Sequence, residues 1–209
     1  MKLGLLVALS FLALSGCHKN DPASVAVAKP TERTVGSGKE LTAAGVSLTF
    51  PKDWVTVDLT NGQFDKMREA MSKGPNGPAM VKALDAVARS GMIKMYAFDP
   101  EHSKPGFLNN ANLTVVSAGN ATLDQALDQS KQQIATFGAQ GTTSKVTLPN
   151  GEFGKLEAHL KAPSGAEITT LGYLKIDGGK MYVVTFTCPP DQAKDYEETA
   201  RTVMQTFRL

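Results

Sequence analysis

Glu167-Ile168-Thr169-Thr170-Leu171-Gly172-Tyr173-Leu174-Lys175-Ile176-Asp177-Gly178-Gly179-Lys180-Met181-Tyr182-Val183-Val184-Thr185-Phe186-Thr187 is the stretch whose reading decides the fold. Two runs rich in β-branched and aromatic residues flank Asp177-Gly178-Gly179, a turn tolerant of positive φ, so the stretch predicts an antiparallel hairpin. The second run shows little polar alternation. A strand of that kind is covered on both faces, which puts it at the centre of its sheet. Upstream, residues 153–161 and 145–148 are joined by Pro149-Asn150-Gly151 and extend the hairpin into a meander. Downstream, Asp191 and the turn after it open a final helix, with Tyr196, Ala200, Val203 and Phe207 facing inward.

The rest of the body alternates strands with helices. Residues 46–50 and 54–59 are strand-like, and Pro51-Lys52-Asp53 between them predicts a hairpin turn. Asn61 suits the N-cap of a helix carrying Phe64, Met67 and Met71 at helical spacing. Pro78 suits the first turn of a second helix, with Val81, Leu84 and Val87 on one side and Gly91 at its stop. Residues 92–98 and 113–117 predict paired strands joined by a polar loop over 99–110. Thr122-Leu123-Asp124-Gln125 is a capping box, opening a helix whose stripe is Leu123, Leu127, Ile134 and Phe137. The sum is an α+β class protein: an antiparallel β-sheet flanked by helices, in one domain over residues 45–209.

The N-terminal residues resemble the signal peptide of a bacterial lipoprotein precursor. Lys2 supplies a positive charge, residues 3–14 form an uncharged apolar run, and Leu14-Ser15-Gly16-Cys17 matches the lipobox. The run is too short to cross a bilayer core, which needs about 20 residues in a helix. The resemblance implies cleavage after residue 16 and acylation of Cys17, giving attachment to the membrane through two or three acyl chains. His18 rather than aspartate after the cysteine implies, for a Gram-negative cell, the outer membrane facing the periplasm. Residues 17–44 contain no aromatic side chain, and we expect them to form the acylated N-terminus and a flexible tether. Gly36-Ser37-Gly38-Lys39 is no phosphate loop: Arg33 stands at the upstream glycine position and Glu40 replaces Ser or Thr.

The body resembles the PsbP-like family, an αβα sandwich found in an extrinsic photosystem subunit, a Ran-binding nuclear import factor and many small bacterial lipoproteins. Val46-Ser47-Leu48-Thr49-Phe50-Pro51-Lys52-Asp53-Trp54 is similar to that family's Phe-Pro-x-x-Trp start. The order of elements behind it matches too, as does the close in Pro189-Pro190, a helix and Thr206-Phe207-Arg208-Leu209. Members mostly bind or assist other components, and no shared catalytic residues exist to carry over.

Chemistry is sparse. The 22 basic residues nearly balance the 20 acidic ones and are scattered, which leaves no footprint for nucleic acid. With Cys17 acylated, Cys188 has no second thiol for an intrachain disulfide, and we expect it to be a small buried hydrophobe. No Gly-x-Ser-x-Gly is present. His159 alternates with Lys155, Glu157 and Lys161 on a polar strand face. Asp99, Glu101 and His102 are adjacent on a loop with no fourth ligand evident, so we expect neither a metal nor any other cofactor there. Met67, Met71, Met80, Met92 and Met95 crowd one short stretch, as core filler or as an adaptable surface for a partner helix or acyl chain.

These readings converge on a lipid-anchored envelope accessory protein, a non-catalytic module that docks to another envelope protein. The alternative is a carrier or sensor of a small apolar, lipid-like ligand held between the methionine-bearing helices and the sheet. An enzyme ranks third, and would need His102 and His159 to share a cleft with carboxylates.

Overall fold

The computed structural model describes residues 38–60, 91–104, 107–161 and 165–209. The expected helices over residues 61–90, with Met67, Met71 and Met80, lie outside that set. The chain enters through β1 (Lys39–Ala43), which pairs antiparallel with β2 (Val46–Phe50). The turn between them is Ala44-Gly45, both at positive φ (54° and 81°), as a two-residue hairpin with native twist demands. Residues 39–43 were expected in the tether. They are a strand instead, because β2 offers them a complete set of backbone partners.

Then follow β3 (Val55–Asp58), β4 (Ile93–Lys104), β5 (Phe107–Ser117), α1 (Leu123–Thr136), β6 (Gln140–Leu148), β7 (Gly151–Lys161), β8 (Glu167–Asp177) and β9 (Lys180–Cys188). A single 3-10 turn, Pro190–Gln192, leads into α2 (Ala193–Met204). The seven later strands form one antiparallel sheet in the order β3-β4-β5-β9-β8-β7-β6. β9 is its middle strand, and every residue of it after Lys180 is buried, as its lack of alternation predicted.

Pro51-Lys52-Asp53 is not a hairpin turn. β2 pairs with β1, whereas β3 pairs with β4 at the edge of the large sheet. The chain does turn there, with Trp54 N donating to Pro51 O at 3.0 Å, but it turns from one layer into another. The cause is side-chain burial: Val46, Leu48 and Phe50 point down onto the large sheet, so β2 lies across it rather than beside β3. The C-terminus locks this ribbon in place. Ser47 and Arg208 exchange backbone bonds of 2.9 and 3.0 Å, and Thr206 Oγ1 accepts from Thr49 N at 2.7 Å.

Alternation along the strands sorts two cores. Tyr182, Val184 and Phe186 face the ribbon and α2, where Tyr196, Ala200, Val203 and Phe207 cover them. Met181 and Val183 face the other way, under Ala126, Leu127 and Ile134 of α1. Helices therefore lie on both faces, as the sandwich reading requires. The capping box at Thr122 closes as expected: Gln125 N donates to the threonine hydroxyl, and Thr122 N donates to Gln125 Oε1 at 2.9 Å. Phe137 departs from expectation. It caps the helix end and is 63% exposed, because Gly138 at φ 67° redirects the chain before another inward turn forms.

Trp54 joins the layers, stacked on Phe50 at 5.6 Å and on Tyr196 at 5.8 Å. Replacing it with alanine should cost about 3–5 kcal/mol, read as a lower urea midpoint by circular dichroism. Gly141→Ala should destabilise by a different route: a Cβ there would stand 2.5 Å from the Glu157 carbonyl oxygen and force β6 off β7. We expect a loss of about 1–3 kcal/mol in the same measurement.

Candidate functional site

The most organised polar region is the distal end of β4, which the sequence presented as a loop. Residues 99–104 are strand with a register shift: Asp99 pairs with Asn109, and Lys104 with Phe107. A strand bulge places extra residues on one side and re-aims their side chains. Asp99 sits inside it with its side chain 1% exposed. A carboxylate so buried must be hydrogen-bonded, and His102 supplies two bonds, from its backbone N at 3.3 Å and its Nδ1 at 3.0 Å. Ser103 Oγ donates to the Asp99 carbonyl and accepts from Asn109 N at 2.9 Å.

Two further side chains hold the His102 backbone. Asn109 Nδ2 donates to its carbonyl at 3.1 Å and Gln192 Nε2 at 2.9 Å, while Asn109 Nδ2 also reaches Gln192 Oε1 at 2.7 Å. The 3-10 turn before α2 is thus tied to β4, and the Lys104–Asp191 ion pair reinforces the link at the surface. His102 is a positioned histidine rather than a solvated loop residue.

Asp53 arrives at the same corner from the crossover between ribbon and sheet. β3 opens with Val55 opposite Phe98. Continuing that register two residues puts Asp53 level with Pro100. One ligating atom each from Asp53, Glu101 and His102 lies within 4.8 Å of the others, with Glu101 exposed and the other two half-buried. Reasoning from sequence missed Asp53. The only signal that would have found it is the β3–β4 register, which local spacing does not encode.

The remaining candidates disperse. His159 is exposed on β7, its Nδ1 3.0 Å from Thr169 Oγ1 and its Nε2 3.5 Å from Glu157 Oε1. Four strand spacings, about 19 Å, separate it from β4, so the two histidines share no cleft. Cys188 is fully buried, and burial, followed by the nearby charges of Asp191 and Glu157, pushes its thiol up to about 12. Met95 is a core residue beneath the ribbon, fully buried. Met92 precedes β4 and its carbonyl accepts Val115 N at 3.1 Å.

The sheet face opposite the ribbon is unexpectedly polar at its centre. Asn110, Asn112 and Thr114 of β5, Thr185 and Thr187 of β9, and Thr170 of β8 are all buried. Beside α1 a cavity of about 20 Å³ is lined in part by Ser130, Thr170, Gly172 and Thr185. That is room for a water molecule, against the roughly 300–1,000 Å³ of a ligand pocket.

No sequence family matches the chain, and no curated protein matches it. Solved structures do match in shape. The solution structure of cyanobacterial PsbP (CyanoP) from Synechocystis sp. PCC 6803 superposes with a TM-score of 0.51 at 12% identity, over 88% of this chain and 98% of that one. The Ran-binding protein Mog1p of Saccharomyces cerevisiae gives 0.49 at 9% identity, over 82% and 95%. LpqN of Mycobacterium tuberculosis, described as involved in cell envelope biogenesis, gives 0.45 at 12% identity, over 82% and 84%. The fold is PsbP-like and α+β. At 12% identity the CyanoP likeness speaks for shape alone.

Burial of Cys188 predicts that the native thiol resists a disulfide reagent such as DTNB at pH 8 and reacts once the protein is unfolded in guanidinium. It also predicts an alkaline limit to stability. Cys188, pushed up to about 12, and Tyr173, raised to about 12 by burial and then by Glu197, hold their protons in the fold. The unfolded chain releases them from about pH 8.5 and about pH 10. Stability is therefore whole below those values and falls as pH rises towards 12. Urea midpoints taken between pH 7 and pH 10.5 should decline, and Cys188→Ala should remove the earlier part of the decline.

Proposed function

We propose that this chain is a non-catalytic accessory protein of a bacterial cell envelope, tethered by lipid on Cys17 and docking to another envelope protein through its folded body. For a Gram-negative host the residue after the cysteine, His18, favours the outer membrane with the domain facing the periplasm. The observation that carries the non-catalytic part is the dispersal of reactive groups. Cys188 is sealed in the core, Ser130 donates to Ala126 O within α1 at 2.8 Å, and the two described histidines stand strands apart on the surface. Acyl or nucleophilic chemistry needs nucleophile, base and orienting group within hydrogen-bond reach.

The lipid anchor rests on the Leu14-Ser15-Gly16-Cys17 motif and the short apolar run before it. From Cys17 to Lys39 an unstructured segment of that length would span about 25 Å, at 5–6 Å × √n, which leaves the body beside the headgroups. The alternative, a carrier of an apolar ligand, draws less support. The described face opposite the ribbon is buried and mixed in character, with Asn112 and Thr185 beside Tyr96 and Phe98, and Met95 lies in the core on the ribbon side.

Cells fed radiolabelled palmitate should label the wild type and not Cys17→Ala. Label on both, or on neither, sinks the anchor. For docking, chemical crosslinking in intact cells followed by purification in detergent should recover one envelope protein in fixed proportion, dependent on the folded body. Recovery of a bound lipid in place of any protein would favour the carrier.

A further inference from the structure

We propose that Asp53, Glu101 and His102 form a divalent-cation site, with Zn²⁺ as the ion its donors suit. The site is independent of the docking reading and stands whether or not the chain is acylated. Three features carry it. The donors converge from two segments far apart in sequence, and all three ligating atoms fall within 4.8 Å of one another. Bonds of about 2.0–2.2 Å at tetrahedral angles require donor spacings of about 3.3 Å. Small side-chain rotations close that gap, and the exposed Glu101 has the room to make them.

The second feature is the histidine's orientation. Its Nδ1 lies 3.0 Å from the buried Asp99 carboxylate, which holds the tautomer that donates there and makes Nε2 the nitrogen that would take the ion. Metal-binding histidines are typically held by such a carboxylate behind the ring, which also makes the outer nitrogen a stronger donor. Third, the backbone of the site is braced. Asn109 and Gln192 both bind the His102 carbonyl, and Trp54, buried next to Asp53, is stacked on both sides. Such bracing keeps the cost of ordering the site low when the ion arrives.

One imidazole and two carboxylates suit Zn²⁺, with water completing the tetrahedron. They suit Ca²⁺ poorly, since that ion takes six to eight oxygens. The water position makes the site open, and the convergence of donors from the crossover and from β4 points to a structural clasp between them. Binding should tie the ribbon-to-sheet junction to the bulge and raise thermal stability in proportion to free Zn²⁺.

The test is titration calorimetry of the full chain in detergent with Zn²⁺, together with thermal melting in Zn²⁺ and in EDTA. We expect one ion per chain and a higher melting temperature with Zn²⁺, with no effect of millimolar Ca²⁺. His102→Ala and Asp53→Asn should each weaken binding by at least about tenfold, and Asp99→Asn by about 10–100-fold. Glu101→Gln, at an exposed position, serves as the ligand variant least able to disturb folding and should also weaken binding. His159→Ala should leave binding unchanged. Absence of binding overturns the proposal. So does binding that persists in His102→Ala, that ignores Asp53→Asn and Glu101→Gln, or that His159→Ala abolishes.

Discussion

The stack of Phe50, Trp54 and Tyr196 is the contact on which the architecture turns. It joins three pieces that no backbone ladder connects: the end of β2, the crossover out of the ribbon, and α2. Aromatic pairs at these separations add about 0.5–1.5 kcal/mol each beyond the area they bury. Their placement does more than their energy. With Trp54 pinned, the chain must leave the ribbon at one angle and enter the sheet edge at one register. Phe186 meets Tyr196 edge-on at 6.5 Å and carries the same cluster into the central strand.

That register has a chemical consequence. Because β3 begins opposite the end of the regular β4 ladder, the residue just before Trp54 faces the bulge just beyond it. A bulge at this point breaks the pleat and exposes side chains that an unbroken strand would alternate between faces. The buried Asp99 is the cost of holding that shape, met by His102, so the fold's most demanding polar group and its best-placed imidazole are one arrangement. Asn109 and Gln192 then couple it to the entry of α2, whose Tyr196 packs against Trp54. The corner and the aromatic stack are consequently braced through the same helix.

The two faces of the sheet are built differently. The ribbon side is apolar and aromatic at its centre, from Met95 to Phe207, with Asp99, Asn109 and Thr169 buried towards one end. The other side is apolar under α1 but carries asparagine and threonine across its middle strands. Threonine suits a strand because its branched Cβ packs on the pleat while its hydroxyl seeks a partner.

Local sequence determined a good deal of this molecule. The Asp177-Gly178-Gly179 hairpin, the central place of β9, the capping box at Thr122 and the inward stripe of α2 all follow from short-range physics. Turn residues set φ, capping side chains satisfy helix amides, and periodicity follows burial. The Leu14-Ser15-Gly16-Cys17 motif and the adjacency of Glu101 to His102 were equally plain to read. What only the tertiary structure decided is partnership. β2 and β3 looked like one hairpin because each is strand-like beside a turn, yet a strand's spare hydrogen bonds do not name their partner. Residues 99–104 looked like a loop because proline and charge imitate one, although the bonds from Asn109 and Gln192 hold them as strand. Asp53 joined the corner for the same reason: long-range register comes from packing two layers together, and no window of sequence contains both.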